Sequence, residues 1–163
     1  MSRNHPDSNE DDKVETCIFC LIASERDKEA EIMKKDKELV CFKDINPAAP
    51  HHYLVVPRQH MHSCSSLNSG HISLGQLKWI MKRMAEMGKT VLRDQGVTNM
   101  KDIRLGFHQP PYISVNHLHL HVLAPTNKIS EYLMYKFMPK TVAFITEESL
   151  TMHLKNKAPP VKY

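Results

Sequence analysis

Residues 117–123 read His-Leu-His-Leu-His-Val-Leu, and this stretch decides how the chain folds. In a β-strand, successive side chains point to opposite faces. His117, His119 and His121 therefore share one face, and the aliphatic residues between them share the other. Because the aliphatic face can enter a hydrophobic core, the pattern predicts a strand that presents three imidazoles at the opposite surface.

Three imidazoles on one face indicate chemistry rather than packing, since the unperturbed pKa of histidine lies near neutrality. The alternative is an ordinary strand with solvated histidines. Such a row can ligate a metal, or one histidine can act as a nucleophile while the others hold an anion. The strand contains no acidic residue, and the neutral Ser114 and Asn116 precede it. Neutral groups suit phosphate oxygens, which favours nucleophilic chemistry at phosphorus.

The composition is that of a soluble globular protein with one domain: 163 residues, 41% hydrophobic and 25% charged. The net charge of +4 does not demand a nucleic-acid partner, although it would not repel a small anionic substrate. Neither a signal sequence nor an apolar run of membrane-spanning length is evident. Four cysteines without a secretory signal favour a reducing compartment. We therefore expect a cytoplasmic protein, with the nucleus as a second location, that does not bind membranes.

The chain divides into a polar tail over residues 1–16, expected to be disordered, and a single domain over 17–163 with a C-terminal extension from about residue 126. The longest predicted helix covers 74–95, because its apolar residues recur at i, i+3, i+4 and i+7. Ser73 with Gln76 fits a capping box, and Gly96 fits the C-terminal cap.

The remaining segments predict an α+β fold, an antiparallel sheet of about five strands with one long helix and a short N-terminal helix. The short helix is expected at 17–22. Strands are expected at 31–35, 39–43, 52–57, 102–107 and in the histidine stretch. In the extension, short helices over 129–138 and 147–155 are expected to flank a strand at 142–145.

Several further segments give the sequence a family resemblance. They are Cys-Ile-Phe-Cys at 17–20, Val-Cys-Phe-Lys-Asp-Ile-Asn-Pro at 40–47 and His-Tyr-Leu-Val-Val-Pro-Arg-Gln-His at 52–60. Together with the histidine stretch, they resemble the histidine triad superfamily over about residues 17–125. The resemblance implies a histidine-triad-like fold and hydrolysis of the P–N bond in adenosine 5'-monophosphoramidates, with aminoacyl-adenylates such as lysyl-AMP as further substrates. It also implies a homodimer or larger homo-oligomer, with sheets joined edge to edge, and no cofactor in catalysis.

The resemblance assigns roles to particular residues. His119 is the implied nucleophile and forms a nucleotidyl-histidine intermediate, and His117 orients it. His121, His52 and Ser114 are implied to contact the phosphate. Asp44 and Ile45 match the family's ribose-contacting pair, although Asp44 could simply begin a turn. The implied purine clamp, whose members could equally be core residues, consists of Ile18, Phe19, Ile22, Phe42 and Leu54.

Some members of the superfamily bind structural zinc through a cysteine pair and two histidines. The matching residues here are Cys17, Cys20, His60 and His117. Two cysteines and two histidines would form a closed tetrahedral site, which is structural rather than catalytic. The alternative is that the cysteines are small buried residues that pack the N-terminal turn.

Two other functions stay open from the sequence. The first is a nucleotide-binding adaptor whose catalysis is incidental. The second is removal of adenylate from DNA ends, which another branch of the superfamily performs. Binding DNA requires a basic groove, but the candidate cations Lys34, Lys35, Lys37 and Arg104 are scattered. Between Gly106 and Ser114, two prolines replace the glycines of many members, and they reduce the backbone N–H groups available to a phosphate.

Overall fold

The computed structural model describes residues 17–61, 73–109 and 112–156. The predicted disordered tail at 1–16, Cys64 and the two prolines at 110–111 lie outside these ranges. Within them the chain forms α1 (Ile18–Ala23), β1 (Ile32–Lys35), β2 (Leu39–Lys43), β3 (His51–Pro57), α2 (Leu74–Asp94), β4 (Arg104–His108), β5 (Leu120–Ala124), β6 (Phe144–Thr146) and α3 (Glu147–Asn156). Among the described residues, no helix has the length and apolar character required to span a membrane.

The strands form one antiparallel sheet in the order β1-β2-β3-β5-β4-β6. The predicted α+β class with an antiparallel sheet is confirmed, and the sheet has six strands where about five were expected. The sixth strand, β6, belongs to the C-terminal extension and pairs with β4, where His108 lies opposite Phe144. The extension is therefore part of the sheet.

The long helix α2 covers one face of the sheet, as its periodicity predicts. Its buried residues and the aliphatic residues Leu118, Leu120 and Val122 share one core. The predicted capping box at Ser73 and Gln76 is present. Gly96 adopts a φ of +93°, the left-handed conformation that favours glycine after a helix.

The histidine stretch departs from the prediction in two ways. The strand begins only at Leu120, because the preceding backbone bonds elsewhere: the Leu118 N–H donates to the Met61 carbonyl at 2.7 Å. The histidines also do not lie at a surface. His117, His119 and His121 are all buried, because Phe19 of α1 and Phe137 of the extension pack against the histidine face.

The predicted helix over 129–138 was wrong. The extension instead makes single 3-10 turns at Thr126–Lys128 and Met134–Lys136. The Ser130 N–H donates to the Ala48 carbonyl at 2.6 Å rather than to its own segment, which docks this stretch on the loop before β3. Ile129 and Phe137 are buried there beside Ala48. The helix predicted at 147–155 is confirmed as α3, and the strand predicted at 142–145 is found at Phe144–Thr146.

Gly106 allows β6 to approach β4 closely, which gives a first testable prediction. A Cβ at Gly106 would lie 2.6 Å from the Ile145 carbonyl oxygen and would also overlap the Phe144 ring. We expect Gly106→Ala to lower the free energy of unfolding by about 2 kcal/mol, measured by urea titration, because backbone must shift. Gly75→Ala is the matched control, since nothing lies within 4 Å of its added Cβ. Equal stability of the two variants would contradict the prediction.

Candidate active site

Four buried histidines meet on the face of the sheet opposite α2. His52 comes from β3 and His121 from β5, where the register places them on neighbouring strands. His117 and His119 come from the segment that leads into β5. Each ring has a hydrogen bond at one nitrogen that fixes which nitrogen carries the proton, so the tautomers follow from the geometry.

His119 has the tautomer that a nucleophile requires. Its Nδ1 lies 2.7 Å from the carbonyl oxygen of His117, and a carbonyl can only accept, so Nδ1 carries the proton. The lone pair of the neutral ring is therefore on Nε2. Burial lowers the pKa of His119 to about 4, which keeps the ring unprotonated at neutral pH. Phe19 packs against the ring with centroids 4.9 Å apart and restricts its orientation.

His52 and His121 form a directed chain of hydrogen bonds. The Ala48 N–H donates to Nδ1 of His52 at 2.9 Å, so the proton of neutral His52 is on Nε2. That Nε2 lies 3.0 Å from Nδ1 of His121 and donates to it. The proton of neutral His121 is consequently on Nε2. This N–H is buried without a hydrogen-bond partner among the described residues.

An unpartnered buried N–H is costly, typically about 1–3 kcal/mol, unless a ligand accepts its hydrogen bond. His119 and His121 are neighbours, with ring centroids 5.0 Å apart. The site therefore combines a ring nitrogen with a lone pair and a second ring with an unused N–H donor. An anion with an electrophilic centre, such as a phosphate ester or amide, matches both groups.

Asp44 of the predicted ribose pair lies at this site, whereas Ile45 does not pack against it. The Asp44 Oδ2 is 3.3 Å from Nε2 of His52, and Oδ1 accepts from the Asn46 N–H at 2.8 Å. Burial raises the pKa of the Asp44 carboxyl. Ile45 is 100% exposed. A contact between Ile45 and a sugar would have to form at the outer rim.

The predicted purine clamp is a compact apolar cluster. Four of its five members pack together: Phe19, Ile22, Phe42 and Leu54. Ile18 is 40% exposed at the start of α1. Because Phe19 contacts both Phe42 and His119, the cluster adjoins the His119 ring. Ser114 lies exposed in the bend that precedes His117.

The structure also brings in residues that the sequence reasoning missed. Phe137 of the extension packs edge-on against His52 and against His121, with centroids 5.3 Å and 5.1 Å away. His108 at the end of β4 lies with its ring centroid 4.4 Å from that of His121. The pairing of β4 with β5 could have suggested His108, since it follows Gly106, which is opposite His121. Nothing in the sequence signalled Phe137.

The four predicted metal ligands converge on one point. Their ligand atoms lie within 4.8 Å of one another. Nδ1 of His117 is 3.4 Å from both the Cys17 and the Cys20 sulfur, and Nδ1 of His60 is 3.1 Å from the Cys20 sulfur. Sulfur and nitrogen ligands on one tetrahedral zinc ion are separated by about 3.5 Å, so the set has the right size.

The protonation states of His117 and Cys20 also favour a metal site at these four residues. Nε2 of His117 donates to the Pro57 carbonyl at 2.9 Å, which leaves the Nδ1 lone pair directed at the two sulfurs. Without a cation, burial and the neighbouring Cys17 raise the pKa of the Cys20 thiol to about 12. A metal ion would deprotonate the thiol and remove that penalty. The residues therefore fit zinc.

Buried neutral histidines predict a loss of stability in acid. Burial lowers the pKa of His52 to about 3 and that of His121 well below 6.5. The unfolded chain then binds more protons than the folded one below pH 6.5. As the pH decreases below about 6.5, we expect the free energy of unfolding to decrease as well. The decrease should be up to about 1.4 kcal/mol per pH unit for each of the two histidines.

Urea titrations at pH 7, 6 and 5, with and without a chelator, measure this loss. The chelator separates histidine protonation from acid release of any bound metal. His121→Asn should have a shallower pH dependence than the unsubstituted chain, since it lacks one of the titrating groups. A free energy of unfolding that is constant from pH 7 to pH 5 would contradict the prediction.

Known proteins are similar to this chain over most of its length. The family model described as scavenger mRNA decapping enzyme C-term binding matches residues 16–133. Adenosine 5'-monophosphoramidase HINT3 of Danio rerio is 50% identical over 145 residues, which are 89% of this chain and 86% of that protein. Aprataxin of Danio rerio is 33% identical over 104 residues, which are 64% of this chain but only 29% of that protein.

A likeness in three dimensions points the same way. A solved histidine triad (HIT) family hydrolase from Clostridium thermocellum superposes with a TM-score of 0.56 at 30% identity, covering 67% of this chain and 90% of its own. The family resemblance carried by the histidine stretch and the other quoted segments is thereby confirmed. This chain belongs to the histidine triad superfamily.

Proposed function

We propose that the protein is a hydrolase that cleaves the P–N bond of adenosine 5'-monophosphoramidates. Nε2 of His119 attacks the α-phosphorus, the P–N bond breaks, and the amine leaves after taking one proton from solvent. The resulting nucleotidyl-histidine then reacts with water: the water oxygen bonds to phosphorus, the bond between phosphorus and Nε2 breaks, and one proton returns to solvent. AMP and the free amine are the products. Two steps through a covalent histidine replace one difficult hydrolysis.

The arrangement of protons around His119 and His121 carries this proposal. The His117 carbonyl fixes the lone pair of His119 on Nε2, and the chain from Ala48 through His52 delivers an N–H to Nε2 of His121. That N–H would donate to a nonbridging oxygen as negative charge develops there. Preorganised donors of this kind contribute about 3 kcal/mol each to lowering a barrier.

The other predicted contacts extend the site to a whole nucleotide. We assign the sugar hydroxyls to Asp44, a carboxylate that can accept two hydrogen bonds. The base is assigned to the surface next to the cluster of Phe19, Ile22, Phe42 and Leu54, with Ile18 and Ile45 at its rim. We also assign Ser114, which is exposed in the bend before His117, as a donor to the phosphate.

The direct test is hydrolysis of adenosine 5'-phosphoramidate and of lysyl-AMP, with AMP release followed by chromatography. A rapid acid quench and mass spectrometry should detect an AMP adduct on His119. AMP binding without turnover on any amine would favour the nucleotide-binding adaptor instead. Faster release of AMP from adenylated DNA than from either small substrate would favour the DNA-end deadenylase, the second function that the sequence left open. Either result would overturn the proposal.

We also propose a structural zinc ion held by Cys17, Cys20, His60 and His117. When bound, zinc would tie α1 to the end of β3 and to the histidine stretch. His117 connects this ion to the active site, because its side chain offers Nδ1 to the metal and its carbonyl fixes the tautomer of His119. Zinc takes no part in the reaction. The homodimer and the cytoplasmic and nuclear location stay predictions.

A further inference from the structure

His108 is a fourth imidazole beside the nucleophile, and the superfamily motif does not include it. It ends β4, and one ring nitrogen of each of His108, His119 and His121 lies within 4.8 Å of the other two. Its ring centroid is 4.4 Å from that of His121, closer than any other ring contact among the described site residues. His108 is also the most exposed of these three rings. Solvent protons can therefore reach the cluster through His108.

The C-terminal extension holds His108 in this position. Nε2 of His108 donates to the Lys136 carbonyl at 2.9 Å, and Phe137 packs beside the ring with centroids 5.0 Å apart. Arg104, on the same strand, donates to the Phe137 carbonyl at 3.1 Å. The extension thus fixes both the orientation of His108 and the nitrogen that carries its proton.

We propose that His108 binds the substrate phosphate, and that it takes up one proton as the anion binds. This inference rests on the proposed function and adds a residue to it. A neutral imidazole has one N–H, and that of His108 is already donated to Lys136. To donate to a phosphate oxygen as well, the ring must become an imidazolium. Phosphate binding is then linked to protonation of His108.

The charges around His108 are compatible with proton uptake when phosphate binds. Burial and the nearby Lys136 ammonium lower its pKa, while the bond to the Lys136 carbonyl and the charge of Asp44 raise it. A phosphate adds negative charge against the ring, which favours the imidazolium. The titratable groups that face His108 from the packed elements are Asp44, His52, His119, His121 and Lys136.

Calorimetric titration with AMP at pH 7.5 tests the proposal. Repeating the titration in buffers of different ionisation enthalpy gives the number of protons taken up on binding. We expect His108→Phe, which keeps a ring of similar shape, to take up fewer protons than the unsubstituted chain. Its affinity for AMP should fall about 10-fold to 100-fold, the range for a hydrogen bond to a charged group. His108→Gln, which keeps a polar donor, guards against a failure of the phenylalanine variant to fold.

His153→Gln is the matched control, since His153 is an exposed histidine on α3. It should keep the affinity and the proton uptake of the unsubstituted chain. Unchanged proton uptake in both His108 variants would overturn the role of His108, even if the unsubstituted chain cleaves adenosine phosphoramidate. If the unsubstituted chain neither binds AMP nor releases AMP from adenosine phosphoramidate, the proposed function fails together with this inference. The two failures are therefore distinguishable.

Discussion

Replacement of His119 by asparagine is expected to lower kcat/KM for an adenosine phosphoramidate by at least about 1,000-fold, because an amide has no nucleophilic ring nitrogen for the covalent step. Asparagine keeps a polar side chain of similar reach, so its amide can still donate to the His117 carbonyl that normally accepts from Nδ1. The variant should therefore fold and bind AMP. Steady-state AMP release measures the first effect and calorimetry measures the second.

The covalent intermediate makes this prediction specific to His119. In acid-quenched reactions the AMP adduct should be present in the unsubstituted chain and absent from His119→Asn. The exposed His153 again supplies the control, and His153→Asn should retain both turnover and adduct. Turnover within 10-fold of the unsubstituted chain in His119→Asn would remove His119 as the nucleophile.

The second large effect concerns the metal ligands. Protein purified without added zinc should carry one zinc per chain, and Cys20→Ser should lose it. The free energy of unfolding should then fall by at least about 3 kcal/mol, since metal binding to the folded state contributes directly to stability. Elemental analysis and urea titration measure the two quantities.

Loss of zinc should also disturb the orientation of His119, the proposed nucleophile. His117, whose Nδ1 lies 3.4 Å from the Cys20 sulfur in the proposed zinc site, is also the residue whose carbonyl orients His119. We therefore expect Cys20→Ser to lower kcat more than it raises KM. Cys41→Ala is the matched control, because Cys41 is a buried cysteine of β2 that lies outside the metal cluster. Metal-free protein from the unsubstituted chain, or full zinc content in Cys20→Ser, would contradict the prediction.

Much of this molecule could be predicted because the deciding signals are local in sequence. Alternation of histidine with leucine sets the two faces of the segment entering β5, and Ser73 with Gln76 marks the start of α2. The cysteine cluster could not be derived from local pattern, since its members come from three separate segments, and only the family resemblance brought them together.

The rest depends on contacts between distant segments. The histidines were expected at a surface because the covering residues, Phe19 and Phe137, are far from them in sequence. The tautomers could not be predicted either, since they are fixed by backbone groups of Ala48, Pro57 and His117. The helix expected over 129–138 was wrong because the Ser130 N–H bonds to the Ala48 carbonyl, a contact that no local pattern predicts.

The strand β6 has a consequence for how copies of the chain can associate. It occupies the outer hydrogen-bonding groups of β4 from Gly106 to His108. Two subunits therefore cannot continue their sheets through β4 unless this short strand first detaches from each of them. In the folded arrangement described, only β1 and β6 itself border the sheet. The C-terminal extension, which orients His108 through Lys136 and Phe137, thus also restricts through β6 how copies of the chain can pair.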